Sequence, residues 1–183
     1  YITASGDPSR YFTDAAPDAV IGVWITPPGG GDAIDCTNGC TALEGSTVAF
    51  DVSIGPVPDV SGATVDAATS KLRAVDLSAV TTEEFSSEVD KGDVIRIADR
   101  EGGGHFRPGD TVTLVVSKGP ELFPVPNVVG MTRDQAKETL EDAGFEASYS
   151  LLWDAWPDAL TKVSAQDPKA NSEREKGTAV TLH

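Results

Sequence analysis

Val57-Pro58-Asp59-Val60-Ser61-Gly62 returns as Val125-Pro126-Asn127-Val128-Val129-Gly130, 68 residues further along the chain. The offset persists beyond the motif. Ala68, Leu72, Val75 and Leu77 match Ala136, Leu140, Ala143 and Phe145, and Gly109, Val112, Thr113 and Leu114 match Gly177, Val180, Thr181 and Leu182. A register kept over a whole unit means that one small module occurs twice. A third copy is legible by its tail. Residues 45–56, running from Gly45-Ser46-Thr47-Val48 to Gly55-Pro56, read against residues 109–120 at an offset of 64. The chain therefore divides into 1–56, 57–120 and 121–183. Its first part is the C-terminal portion of a module whose opening strand and helix are expected before Tyr1. An apolar sheet face is then left without its helix.

Each complete module reads as α+β, in the order strand, helix, strand, strand. Thr132-Arg133-Asp134-Gln135 has the form of a capping box, with Thr as N-cap and Gln three residues on. Ala136, Leu140 and Ala143 follow at helical spacing, and Gly144 occupies a helix C-terminal position. The middle module repeats this with Thr64 as N-cap, Ala67 in place of the Gln and Asp76 in place of the Gly. Strands are expected at Val80 to Phe85, Val94 to Ala98 and Thr111 to Ser117. In the last module they are expected at Phe145 to Leu152, Leu160 to Ala165 and Gly177 to Leu182. In the first they are expected at Ala19 to Ile25 and Thr47 to Ser53. One helix across a three-stranded sheet (βαββ) buries both apolar faces with the fewest elements. The joints Gly55-Pro56-Val57-Pro58 and 119–126 are short and proline-rich, which predicts a stiff, rod-like array.

Composition narrows the function. With 29 Asp and Glu against 14 Lys and Arg, the formal charge is -15, the wrong sign for a phosphate backbone, so nucleic acid is not an expected partner. No apolar run has the length of a membrane span. Cys36 and Cys40 flank Thr37-Asn38-Gly39, and Asn-Gly is a tight-turn dipeptide. A disulfide is the favoured reading and implies an oxidising compartment; two reduced thiols in a loop are the alternative. No metal or other cofactor is expected. The two histidines, His105 and His183, form no catalytic set, and the Gly runs at 29–31 and 102–104 lack the Lys-Ser/Thr continuation of a phosphate loop.

The ordered motifs resemble the PASTA repeats found outside the membrane in penicillin-binding proteins and serine/threonine kinases of Gram-positive bacteria. Residues 57–62, 64–72 and 109–120 carry the resemblance, with 125–130, 132–145, 177–182 and 45–56. The loop 28–45, with its cysteine pair, lies outside the family pattern. The resemblance implies a non-enzymatic extracellular sensor region of a single-pass, membrane-anchored kinase whose catalytic domain is not in this chain. A penicillin-binding protein is the other possible parent. Its implied partners are peptidoglycan fragments or the lipid-linked precursor, and its implied effect is kinase positioning or dimerisation. The alternatives are a structural spacer, or a module binding another surface or host protein.

A wall-fragment binder needs aromatic faces for sugars and cations for carboxylates. Trp153 and Trp156 are the candidate aromatic face; closing the small core is their other reading. Arg133 and Lys137, four apart on one helix, are the candidate cations; pairing with Asp134, Glu138 and Glu141 on a solvated face is theirs.

Overall fold

The computed structural model describes residues 1–150, 153 and 156–183. The chain forms two compact units: residues 1–84 with 89–117, and residues 85–88 with 118–183.

In the first unit, the segment 1–53 holds five strands: β1 (Thr3–Ala4), β2 (Ser9–Tyr11), β3 (Val20–Thr26), β4 (Ile34–Asp35) and β5 (Thr47–Ser53). β5 is central. It runs antiparallel to β3 and parallel to both β1 and β2, while β4 extends the sheet beyond β3. β3 and β5 fall where the sequence places them. β1 and β2 were not foreseen. They act as one interrupted edge strand: Ala4 pairs with Val48 and Ser9 with Asp51, so four residues are looped out against two.

The rest of this unit follows the repeat. α1 (Val65–Arg73) is capped by Thr64, whose hydroxyl accepts from the Ala67 amide. β6 (Ser78–Glu84), β7 (Val94–Ile97) and β8 (Thr111–Ser117) form a sheet in the order β6-β8-β7, with β6 parallel and β7 antiparallel to β8. The arrangement matches that around β5. α1 buries Ala68 and Leu72 against Val94, Val112 and Leu114, all with no solvent exposure. Each large aliphatic side chain so buried contributes about 2 kcal/mol of hydrophobic free energy. Phe12, 6% exposed, joins this cluster from the end of β2. The Phe12 amide donates to the Phe106 carbonyl at 2.8 Å.

Val57–Gly62 is not a strand. Its Asp59 carboxylate accepts from the Ser61 amide at 2.9 Å, and the Gly62 amide donates to the Val94 carbonyl. The backbone is thus committed to a turn that leads into the helix cap.

The second unit contains β9 (Phe123–Pro124), α2 (Arg133–Asp142), β10 (Glu146–Ser148), β11 (Gln166–Asp167), β12 (Glu173–Arg174) and β13 (Ala179–Leu182). β10, β13 and β11 form a three-stranded sheet with the same pattern of one parallel and one antiparallel neighbour, and β9 pairs with β12. The capping box at Thr132 and Gln135 is complete. Gly144 follows the helix with φ of 84°, and Asp76 takes the matching place after α1 at 61°. Ala136, Leu140, Val125, Val128, Phe145, Val163, Val180 and Leu182 fill the core.

Leu160 to Ala165 is not a strand. Residues 158–160 form a 3-10 turn, the Val163 amide donates to the Met131 carbonyl, and the Val163 carbonyl accepts from Gly130. The hydrogen bonds of Val163 therefore go to the turn before α2, while Ser164 and Ala165 bond to His183 after the last strand. The expected strand Phe145 to Leu152 shortens to β10, and Leu151 and Leu152 lie outside the described residues. Among the described residues no helix is long and apolar enough to cross a membrane.

Candidate functional site

Trp153 and Trp156 line one cleft of about 220 Å³ with Leu160, Thr161 and Lys162. The elements that build it are local. The Trp153 amide donates to the Ser150 carbonyl and the Trp156 amide to the Trp153 carbonyl. The opposite wall is the 3-10 turn at 158–160. That turn is tied to the start of α2, where the Asp134 amide donates to the Asp158 carboxylate at 2.8 Å. This bond holds the Asp158 carboxyl below the usual carboxylate range, helped by the Thr132 hydroxyl and the Arg133 charge. Asp158 thus serves a third amide at the start of α2 besides the two in the capping box.

The two tryptophans play different parts. Trp153 is half-buried, packs against the core and stacks on Tyr149 with ring centroids 6.2 Å apart. Trp156 is 61% exposed and supplies the open aromatic face. The core-closing reading of Trp153 and the platform reading of Trp156 therefore both have a structural counterpart.

The cations separate in the same way. Arg133 donates through Nη1 to the Trp153 carbonyl at 2.7 Å and through Nε to Asp134 at 2.9 Å. It braces the wall of the cleft. Lys137 lies 3.8 Å from Glu141 on the exposed side of α2 and does not line the cleft. The cation that does line it is Lys162, which the sequence reading passed over because it sits in an expected strand. The cleft thus combines two indoles, an aliphatic side chain, a hydroxyl and an ammonium group. That set suits a ligand with a sugar or apolar face and a carboxylate.

The cysteine pair is bonded: Cys36 and Cys40 have an S–S distance of 2.03 Å. The bridge closes the turn after β4, where the Gly39 amide donates to the Cys36 carbonyl. Among the described residues no group of three or more His, Cys, Asp and Glu is placed to hold a metal.

Comparison with known proteins places this geometry in context. The chain is 30% identical over 150 residues to the probable serine/threonine-protein kinase PknB of Corynebacterium glutamicum, covering 79% of this chain and 23% of that protein. It is 42% identical over 62 residues to the serine/threonine-protein kinase PknB of Mycolicibacterium smegmatis, covering 34% and 10%. The chain thus spans less than a quarter of these relatives.

The fold is similar to that of the entire extracellular region of the Ser/Thr kinase PrkC from Staphylococcus aureus. The TM-score is 0.54 at 20% identity, over 98% of this chain and 62% of that one. It is also similar to the three-PASTA-domain of a Ser/Thr kinase from the same organism, with a TM-score of 0.50 at 21% identity, over 99% and 86%. The PASTA domain model matches residues 55–118 and 123–183, most of the sequence. On these matches the chain belongs to the PASTA domain family.

Proposed function

We propose that this chain is the extracellular sensor region of a bacterial serine/threonine protein kinase. In this reading it consists of three modules, 1–56, 57–120 and 121–183. It binds peptidoglycan fragments or their lipid-linked precursor and so positions or dimerises the kinase at the wall of a Gram-positive bacterium. The observation that carries the reading is the agreement of the relatives, which are bacterial serine/threonine-protein kinases, with a fold similar to the extracellular region of another such kinase, from Staphylococcus aureus. The disulfide supports it, because such bonds persist in oxidising compartments. The cleft of Trp153, Trp156 and Lys162 is the proposed contact, braced by Arg133; Lys137 contributes only to the surrounding field.

Titration of the labelled chain with defined muropeptides, followed by NMR, tests this. Shifts centred on Trp153, Trp156 and residues 160–162 are expected, and Lys162→Ala reduces them. A flat response at millimolar ligand sinks the binding claim and favours the spacer reading. That reading draws its own support from the engagement of Arg133 and Lys137 with acidic neighbours.

A further inference from the structure

A second cavity lies in the first unit. It measures about 400 Å³, and its lining includes Tyr11, Gly22, Trp24, Asp35, Asp51 and His105. Its floor is one face of the β3–β5 pair. Gly22 is paired with Asp51 and Trp24 with Ala49, so the side chains of Trp24 and Asp51 share that face.

The floor is closely fitted. The Trp24 indole donates to Asp51 Oδ2 at 2.6 Å. A Cβ at position 22 would lie 2.9 Å from Asp51 Oδ2 and 3.1 Å from the indole nitrogen. Glycine leaves the Trp24–Asp51 pair room, since a side chain there would have to displace the Asp51 carboxylate. The rim is Asp35, whose carboxylate accepts from both the amide and the hydroxyl of Thr37. Those two bonds hold the Asp35 carboxyl below the usual range, so it is charged at neutral pH. The Cys36–Cys40 bridge closes the loop that carries it. Tyr11 forms a further wall, fixed by Arg107, whose guanidinium lies 4.4 Å from the ring centroid, and meets His105 edge-on.

The charge of this lining selects its ligand. Two carboxylates converge with two aromatic rings, and among the described residues neither Lys nor Arg lines the cavity. A carboxylate or phosphate entering it meets like charge, whereas an ammonium group meets opposite charge and the Trp24 indole, the Tyr11 ring already holding the Arg107 guanidinium. We infer that this cavity binds a primary ammonium group carried on an aliphatic stem, with Asp35 and Asp51 as its counter-charges and Trp24 against the stem. The inference is independent of the cleft in the second unit and of any muropeptide binding there.

The test follows the three indole N–H signals by NMR, with Trp24 identified through Trp24→Phe. Nα-acetyl-lysine amide is the probe, Nα-acetyl-norleucine amide the control of equal length without the charge, and methyl glucoside the neutral sugar control. The expected result is a saturable shift of the Trp24 indole signal with the lysine probe and none with either control. Asp35→Asn keeps the oxygen that Thr37 binds and removes the charge; it is expected to weaken the probe about threefold, the scale of an exposed ion pair. Asp51→Asn keeps an acceptor for the indole and acts in the same direction. Equal response to the norleucine control, response to the sugar alone, or no response at millimolar probe overturns the inference. A shift of Trp24 with no change at Trp153 or Trp156 upholds it even where the wall-sensing reading fails.

Discussion

Phe50 on β5 and Leu114 on β8 hold the same position in the same repeated strand, yet Phe50 is 38% exposed and Leu114 is fully buried. Both strands are central in their sheets, each with a parallel neighbour on one side and an antiparallel one on the other. The difference is α1, which lies over β8 and has no counterpart over β5 among the described residues. Val48, Phe50 and Val52 therefore keep the apolar pattern of a covered face while remaining partly open to solvent, as do Val20 and Ile34 beside them. Strand pattern and burial are separable: β5 shares the apolar pattern of β8, and the burial differs with the helix that covers β8.

Truncating both residues separates the covered face from the open one. Leu114→Ala leaves a cavity under α1 and is expected to cost about 3 kcal/mol in urea unfolding of the first unit. Phe50→Ala removes a side chain that is already partly hydrated and is expected to cost about 1 kcal/mol or less. Equal losses would show that the β5 face is covered after all.

The next effect isolates the helix. Thr64→Ala deletes the N-cap of α1 and is expected to cost about 1 kcal/mol. Hydrogen exchange should quicken along β8 and leave β5 unchanged. Quickening in both strands would mean that the two sheets respond as one to the helix.

The smallest effect is a response to acid. Asp35, beside the β5 sheet, and Asp59, before α1, both have carboxyl groups held low by hydrogen bonds, from Thr37 and Ser61 respectively. A lowered folded-state pKa stabilises the fold above the unfolded value of ~3.9 and ceases to do so as pH falls through the folded value. The amide signals of Thr37 and Ser61 should therefore hold constant at neutral pH and move only below about pH 4. Movement near pH 6 would rule out these carboxylates as the cause.

The repeats made the central strands, both helices and the α2 capping box legible, because each rests on local spacing. β1 and β2 escaped because Gly6-Asp7-Pro8 interrupts them and Thr3, Ser9 and Arg10 show no apolar alternation. Leu160 to Ala165 was misread because a buried Val163 between polar neighbours looks like a strand whichever partner takes its hydrogen bonds.

The candidate site was legible in part. Trp153 and Trp156 do line one cleft, but nothing in the spacing of Arg133 and Lys137 revealed that one braces a carbonyl and the other faces solvent. The cavity in the first unit joins residues as distant as Tyr11 and His105, and no linear pattern announces such a meeting.

Phe12 has a consequence for where this chain can be cut. The repeat suggests a clean division at Gly55-Pro56, and a fragment starting there would contain every motif of the middle module. It would also lack the aromatic ring that fills one side of that module's core. The repeated stretch of sequence is thus shorter than the stretch whose side chains pack into one core. A crystallographer or protein engineer trimming this array by its motifs would be removing a plug along with the linker.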